Sequence, residues 1–204
     1  MIGAQVIKDA IVKNELQRIF VYPGGTIAPI IDALCKEGIE VFCARHEQGA
    51  AYAALAAARI TGRTQVVLVT SGPGATNAVT PVADAYFDSI PLILITGQVA
   101  TSDLSNPSVP VRQRGFQEVN TVSIMKSVTK AQFLVKDVLQ LEKVLEDAFF
   151  ISRDERPGPV VIDMPMDVQR AEVNGPATTA GGRENSNNKN GIQTINAESI
   201  KHIA

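Results

Sequence analysis

What most constrains this chain is a recurring unit: a short apolar run rich in β-branched residues, a polar or glycine-bearing turn, then apolar residues at helical spacing. Arg18 to Tyr22 stops at Pro23-Gly24-Gly25 and leads into a helical pattern from Ile27 to Leu34, closed by Gly38. Ile39 to Ala44 leads into a helix from about Glu47 to Ile60 that closes at Gly62. Gln65 to Thr70 leads through Ser71-Gly72-Pro73-Gly74 into a helix from Thr76 to Phe87. Pro91 to Thr96, which stops at Gly97, then Ala131 to Val135 and Pro159 to Met164 complete the strand-like runs, with amphipathic helices over Met1 to Leu16 and Leu139 to Ile151. Val66-Val67-Leu68-Val69 is apolar without alternation, which suits a strand covered on both faces. Alternating strands and helices imply right-handed crossovers. The expected fold is therefore α/β: a doubly wound, mainly parallel six-stranded sheet with helices on both faces.

Sheets of this kind bind ligands beyond the carboxyl ends of their strands. Tyr22-Pro23-Gly24-Gly25, Arg45-His46-Glu47-Gln48-Gly49-Ala50-Ala51, Ser71-Gly72-Pro73-Gly74-Ala75-Thr76-Asn77 and Thr96-Gly97-Gln98 would all lie at that edge. Glu47 is the candidate working residue. An acid in the first turn of a helix is already stabilised by the helix dipole, by ~0.3 to 1 kcal/mol, and needs no further purpose. Its surroundings argue for one, because Gly49 and the alanines Ala50, Ala51, Ala53 and Ala54 thin the helix so that another backbone can come close. The turn at Ser71 to Asn77 is where backbone N–H groups bind an anion or a polar ring, although an ordinary tight turn looks much the same. It lacks the full dinucleotide fingerprint and the Gly-Lys-Ser or Gly-Lys-Thr of a phosphate loop.

The irregular stretch from Val99 to about Gly115 has the length of a functional loop. Phe116 to Val122 after it is expected to be helical. Arg112, Arg114 and Gln117 would face an anionic substrate there, or be simply solvated.

Other chemistries are excluded by what is missing. There are two histidines, His46 and His202, and no Gly-x-Ser-x-Gly elbow, so neither a His-rich metal site nor a serine hydrolase is supported. Cys35 and Cys43 fit no redox or zinc spacing, and their apolar neighbours make them expected core thiols. A net charge of -2 with scattered lysines and arginines provides no field for nucleic acid. No stretch reaches the ~18 apolar residues of a membrane span, and the charged N-terminal helix is not a signal peptide, so a cytoplasmic location is expected.

Taken together, and in this order and spacing, Tyr22-Pro23-Gly24-Gly25, Arg45 to Ala51, Ser71 to Asn77, Asp88-Ser89-Ile90-Pro91, Thr96-Gly97-Gln98, Phe116-Gln117-Glu118 and Arg156-Pro157-Gly158-Pro159 resemble acetolactate synthase. The likeness runs from about Met1 to Val168 and corresponds to the N-terminal, pyrimidine-binding domain of the thiamine-diphosphate enzymes. It implies a domain over residues 1–170. The Gly-, Asn- and Ser-rich composition that follows gives a linker over 171–194, and 195–204 read as the truncated start of a further domain.

In that family the glutamate matching Glu47 hydrogen-bonds a ring nitrogen of the cofactor's aminopyrimidine and favours its imino tautomer, whose exocyclic nitrogen removes the thiazolium proton. Glu47 and Gln117 are thereby the expected catalytic residues, with Gln117 beside Phe116 facing substrate. Gly24, Gly25, Glu47, Pro73, Asn77 and Arg156 are the expected cofactor-binding residues. The implied activity is decarboxylation of a 2-oxo acid such as pyruvate and transfer of the two-carbon unit to a second carbonyl. The implied cofactors are thiamine diphosphate, with Mg²⁺ held through a domain absent from this chain. FAD enters through Arg156, which matches an arginine that contacts the flavin. A homodimer or higher oligomer with its active site between subunits is implied as well, and this chain alone is expected to be inactive.

The chain departs from the family pattern at Met166, where a lysine usually follows Asp-x-Pro, at Arg112-Gln113-Arg114-Gly115, and at Asn120. These departures favour an alternative, a related carboligase or decarboxylase with a different, for example sugar-linked, substrate. A non-catalytic dimerisation or regulatory module of the same fold is a further alternative, against which the intact Glu47 argues.

Overall fold

Alternation of side chains along each strand decides the layering of the fold. The computed structural model describes residues 1–105, 108 and 111–173. Met1–Val173 form one unit. The expected linker beyond Val173 and the expected helix start at 195 lie outside the described residues.

The strands are β1 (Arg18–Val21), β2 (Glu40–Cys43), β3 (Gln65–Val69), β4 (Leu92–Gln98), β5 (Ala131–Leu134) and β6 (Pro159–Pro165). They form one sheet of six strands in the order β2-β1-β3-β4-β6-β5, each neighbouring pair parallel. Ile19, Val21, Val66, Leu68, Ile93, Ile95, Val160 and Ile162 point to one face, where they meet α1 (Gly3–Lys13), α2 (Ala28–Glu37) and α7 (Leu141–Arg153) through Ile7, Ile11, Ile30, Leu34 and Leu145. Phe20, Val67, Val69, Leu92, Leu94 and Val161 point to the other, against α3 (Glu47–Thr61) and α5 (Val79–Phe87). On that side Ala50, Ala51, Ala54 and Ala85 supply the contact, so α3 lies close to the sheet. Central strands covered on both faces read as continuous apolar runs, as the sequence of β3 predicts.

The chain moves from β1 outward to β2 and then returns to β3 on the other side of β1. A crevice therefore opens between the carboxyl ends of β1 and β3, the place where open α/β sheets hold ligands. Gly38 and Gly62, at φ 82° and 66°, stop α2 and α3 in the left-handed conformation that glycine adopts without strain.

Several local expectations are corrected. The helix expected from Thr76 to Phe87 starts earlier and is two pieces, α4 (Pro73–Asn77) and α5, joined at Ala78. Proline at the first position begins α4, where its missing N–H costs nothing. β4 does not stop at Gly97; it continues because Gly97 and Gln98 pair with Met164 and Pro165 of β6. Residues 116–122 do not form the expected helix. Gln117 sits at φ 57°, outside the helical region, and α6 (Thr121–Met125) begins only after Asn120 caps it, the Asn120 side chain accepting from the Ser123 N–H at 2.9 Å. Cys35 and Cys43 are exposed rather than core thiols. Cys35 follows Leu34, which takes the inward position of α2, and Cys43 belongs to the edge strand β2, which has one side open.

A short helix missed in the sequence, α8 (Met166–Arg170), closes the unit over α1. Ile2 and Glu172 form an isolated antiparallel bridge, and the Val173 N–H donates to the Met1 carbonyl at 2.8 Å, so the two ends of the unit meet. Among the described residues no helix is long and apolar enough to cross a membrane.

Candidate functional site

Glu47 is the first residue of α3 and is 6% exposed. Burying a carboxylate is costly unless it finds partners. Asn77 Nδ2 donates to Glu47 Oε2 at 3.0 Å, and His46 Nε2 lies 3.8 Å from the same oxygen. His46 is itself fixed as the cap of α3, its Nδ1 accepting from the Gln48 N–H at 3.2 Å. Asn77 is delivered by α4, whose entry turns on Gly72 at φ 61°.

The second carboxylate oxygen, Oε1, accepts no hydrogen bond among the described residues. Space beside it is kept by Gly74, where a Cβ would stand 3.4 Å from Oε1 and 2.6 Å from Thr70 Cγ2. The result is a carboxylate with one oxygen pinned and one oxygen free at the sheet edge. It suits a planar heterocycle that offers a ring nitrogen to be bonded.

Next to it, Thr26 Oγ1 and Thr70 Oγ1 are 2.8 Å apart, and the Ser71 N–H donates to Thr26 Oγ1 at 3.1 Å. This ties the turn after β1 to the turn after β3. Gly24 is required by that tie, since a Cβ there would come within 2.3 Å of Thr70 Cβ. Gly25 differs: nothing lies within 4 Å of the place its Cβ would take, so it leaves open space in the crevice.

Gln117 reaches the same edge from the far loop. Its carbonyl oxygen lies 2.3 Å from where a Cβ of Gly72 would be, so this glycine is what lets the two turns touch. Phe116 beside it is 81% exposed, and Arg112 and Arg114 are exposed too. Pro73 is exposed at the start of α4. The structure thus brings Gly24, Gly25, Glu47, Pro73, Asn77 and Gln117 to one edge. Arg156 is not among them. It precedes β6, and its guanidinium donates to Ser89 Oγ at 2.7 Å and to the Phe87 carbonyl at 3.2 Å, both ahead of β4 at the amino ends of the strands.

Glu118 holds the far loop in shape. Its carboxylate accepts from the Ser105 N–H and hydroxyl and from the N–H groups of Arg114 and Gly115, at 2.9 and 3.2 Å for the last two. Burial pushes its pKa upward, but these bonds outweigh it and hold the carboxyl below its ordinary value.

The sequence singled out the Thr96-Gly97-Gln98 turn but not its link to Asp163, the aspartate of the Asp-x-Pro before Met166. In the structure Thr96 Oγ1 donates to Asp163 Oδ1 at 2.6 Å and Gln98 Nε2 donates to Asp163 Oδ2 at 3.0 Å, all three side chains buried. Burial raises the Asp163 pKa to about 6 despite the bonds from Thr96 and Gln98; Thr121 also draws it down, although its buried hydroxyl falls outside hydrogen-bond geometry. The available signal was a lone carboxylate inside the apolar run Val160 to Met164. Among the described residues no cluster of three or more His, Cys, Asp or Glu side chains is placed to hold a metal.

Residues 1–124 match the family described as thiamine pyrophosphate enzyme, N-terminal TPP binding domain. The chain is 43% identical over 175 residues to a mitochondrial acetolactate synthase of Schizosaccharomyces pombe, covering 85% of this chain and 25% of that protein. It is 44% identical over 171 residues to the acetolactate synthase isozyme 2 large subunit of Escherichia coli, covering 84% and 30%. With the acetolactate synthase large subunit of Lactococcus lactis it shares 42% identity over 172 residues, 84% of this chain and 29% of that one. The chain thus spans between a quarter and a third of the length of these relatives.

Proposed function

The chain belongs to the thiamine pyrophosphate enzymes through their N-terminal TPP binding domain, and on that premise we propose that it is the pyrimidine-binding part of an acetolactate synthase. The observation that carries the proposal is the divided carboxylate of Glu47, one oxygen fixed by Asn77 and the other left beside Gly74. When bound, thiamine diphosphate supplies a carbanion-stabilising ring that lets a 2-oxo acid lose carbon dioxide and pass its two-carbon unit to a second carbonyl.

Each residue has a task in this reading. Glu47 turns its free oxygen to the ring nitrogen of the pyrimidine in a hydrogen bond, and its burial keeps water from competing for that bond. Asn77 fixes the carboxylate plane. Pro73, Gly24 and Gly25 leave the flat walls and open volume that a heterocycle needs. Gln117 offers its amide to the carboxylate of the oxo acid, a 2-oxo acid such as pyruvate.

Mg²⁺ and the diphosphate belong in this proposal to a part of the enzyme other than residues 1–173. FAD depends on Arg156 alone, at the opposite edge of the sheet, so the assignment of Glu47 does not rest on it. A homodimer or higher oligomer is supported by Phe42 and Tyr52, 41% and 39% exposed near the carboxyl edge, and by Gly49 on the outward side of α3. The deciding experiment measures carbon dioxide release from pyruvate by the complete enzyme containing this chain, with thiamine diphosphate and Mg²⁺, and identifies the product. Acetolactate supports the proposal. Cofactor binding without acetolactate removes the substrate assignment, and absence of cofactor binding removes the whole reading.

A further inference from the structure

The buried carboxylate of Asp163 does not reach the crevice, yet it stands under the loop that does. Thr96, Gln98 and Asp163 project from neighbouring strands to the α3 side of the sheet, in register Thr96 beside Asp163. Gln98 is the link. Its Nε2 donates to Asp163 Oδ2 at 3.0 Å and to the Val119 carbonyl at 2.9 Å, while its Oε1 accepts from the Val99 N–H at 2.9 Å. Every hydrogen-bonding atom of that amide is thereby used, with one orientation satisfying all three partners.

Val119 lies two residues after Gln117. The segment from Gly115 to Asn120 has no helix or strand of its own, and Gln117 within it holds a left-handed φ of 57°. A non-glycine residue keeps such a conformation only where its surroundings determine it. Three contacts do so: Glu118 bonded to the Arg114 and Gly115 N–H groups, Gly72 beneath the Gln117 carbonyl, and Gln98 on the Val119 carbonyl.

We propose that Asp163 is a positioning residue that acts through Gln98 to hold the Gly115–Asn120 segment, and so sets where Gln117 meets the substrate. The assignment of Gln117 rests on the proposed function; the holding of the segment does not. A buried carboxylate without a cation bonded to it is an expensive choice for a strand interior. Its presence under a loop of unusual conformation follows if the loop needs a fixed acceptor below it.

Hydrogen exchange of the full chain tests the holding directly. Gln98→Met removes both donated bonds, and the amides of residues 115–120 then exchange about ten-fold faster or more while those of β3, β4 and β6 keep their protection. Asp163→Asn retains an acceptor for Gln98 and turns a donor toward Thr96, so exchange stays as in the parent; Asp163→Val loosens the segment as Gln98→Met does. Should Asp163→Val fail to fold, Gln98→Met and Asp163→Asn decide alone. Unchanged exchange at 115–120 in a folded Gln98→Met variant overturns the proposal. In the complete enzyme, Gln98→Met raises the KM for the oxo acid about ten-fold with thiamine diphosphate affinity unchanged, and Asp163→Asn keeps the parent KM. An enzyme whose 115–120 amides loosen while the KM stays fixed keeps the holding role and discards the role given to Gln117.

Discussion

The two edges of one parallel sheet are built by different rules. At the amino edge exposed or half-buried cations reach for backbone or for other side chains: Arg156 for Ser89 and the Phe87 carbonyl, Lys130 for the carbonyls of Ile151 and Asp154 at 2.6 Å each, Arg18 for Glu40 at 2.8 Å, beside one buried hydroxyl pair, Thr64 with Ser152. At the carboxyl edge they are buried or half-buried and bind one another: Glu47 with Asn77, Thr26 with Thr70, Asp163 with Thr96 and Gln98. An exposed ion pair contributes little and tolerates replacement. A buried polar network is weakened when a partner is replaced by a group that cannot bond, because the remaining groups are left unsatisfied.

Five substitutions sharpen or break that contrast, beginning with the largest effect. Glu47→Gln keeps an acceptor for Asn77 but replaces the carboxyl group by an amide that cannot exchange a proton with the ring, so carbon dioxide release by the complete enzyme falls by about a hundred-fold or more while thermal unfolding shifts little. Unchanged turnover would show that the carboxyl edge carries no chemistry at Glu47.

Asp163→Asn alters stability with pH. The folded pKa is raised from the ordinary carboxyl value of 3.8 to about 6, chiefly by burial. A group raised in this way stabilises the fold below its unfolded pKa and loses that contribution as pH rises through the folded one. At roughly 1.4 kcal/mol per pH unit, the cost above pH 6 is about 3 kcal/mol. The asparagine variant is therefore more stable than its parent by about that amount at pH 8, with the gap closing toward pH 4, as denaturant unfolding at the two pH values measures. An equal effect at both would remove burial as the cause.

Gly72→Ala adds a methyl against the Gln117 carbonyl at a positive φ, and Gly25→Ala adds one to open space. The first destabilises by about 2 kcal/mol and the second by less than about 0.5 kcal/mol, measured by thermal unfolding. Equal losses would mean that the two turns do not touch. Arg156→Ala, at the amino edge, leaves thiamine diphosphate affinity unchanged by calorimetry and moves stability by about 1 kcal/mol or less. A large loss of cofactor affinity would erase the separation between the edges.

How much of this was legible in advance follows the same division. Strands such as Val66 to Val69, the helix stops at Gly38 and Gly62, and the sheet class were readable because local composition and backbone preference act over a few residues. Glu47 stood out by its position before an alanine-rich helix, and the structure buries it at the start of that helix. What escaped depends on distant partners. Phe116 to Val122 has helical composition, but Glu118 spends its carboxylate on the loop backbone and Asn120 starts the helix late. The cysteines looked internal because their neighbours are apolar, and which side of α2 or β2 faces water is set by the packing of the whole unit. Asp163 and Gln98 are 65 residues apart, and only the parallel register of β4 and β6 joins them.

The bridge of Ile2 to Glu172 gives the unit a property unrelated to its chemistry. With Val173 bonded to the Met1 carbonyl, the path of the chain through residues 1–173 is nearly a closed circle. Where a circle begins is a matter of convenience. A short peptide joining residue 173 to residue 1, with a cut at the exposed left-handed turn of Gly38, where nothing lies within 4 Å of a would-be Cβ, keeps every strand pairing of the sheet. The order in which its elements leave the ribosome is then free to vary while the edge that carries Glu47 stays the same.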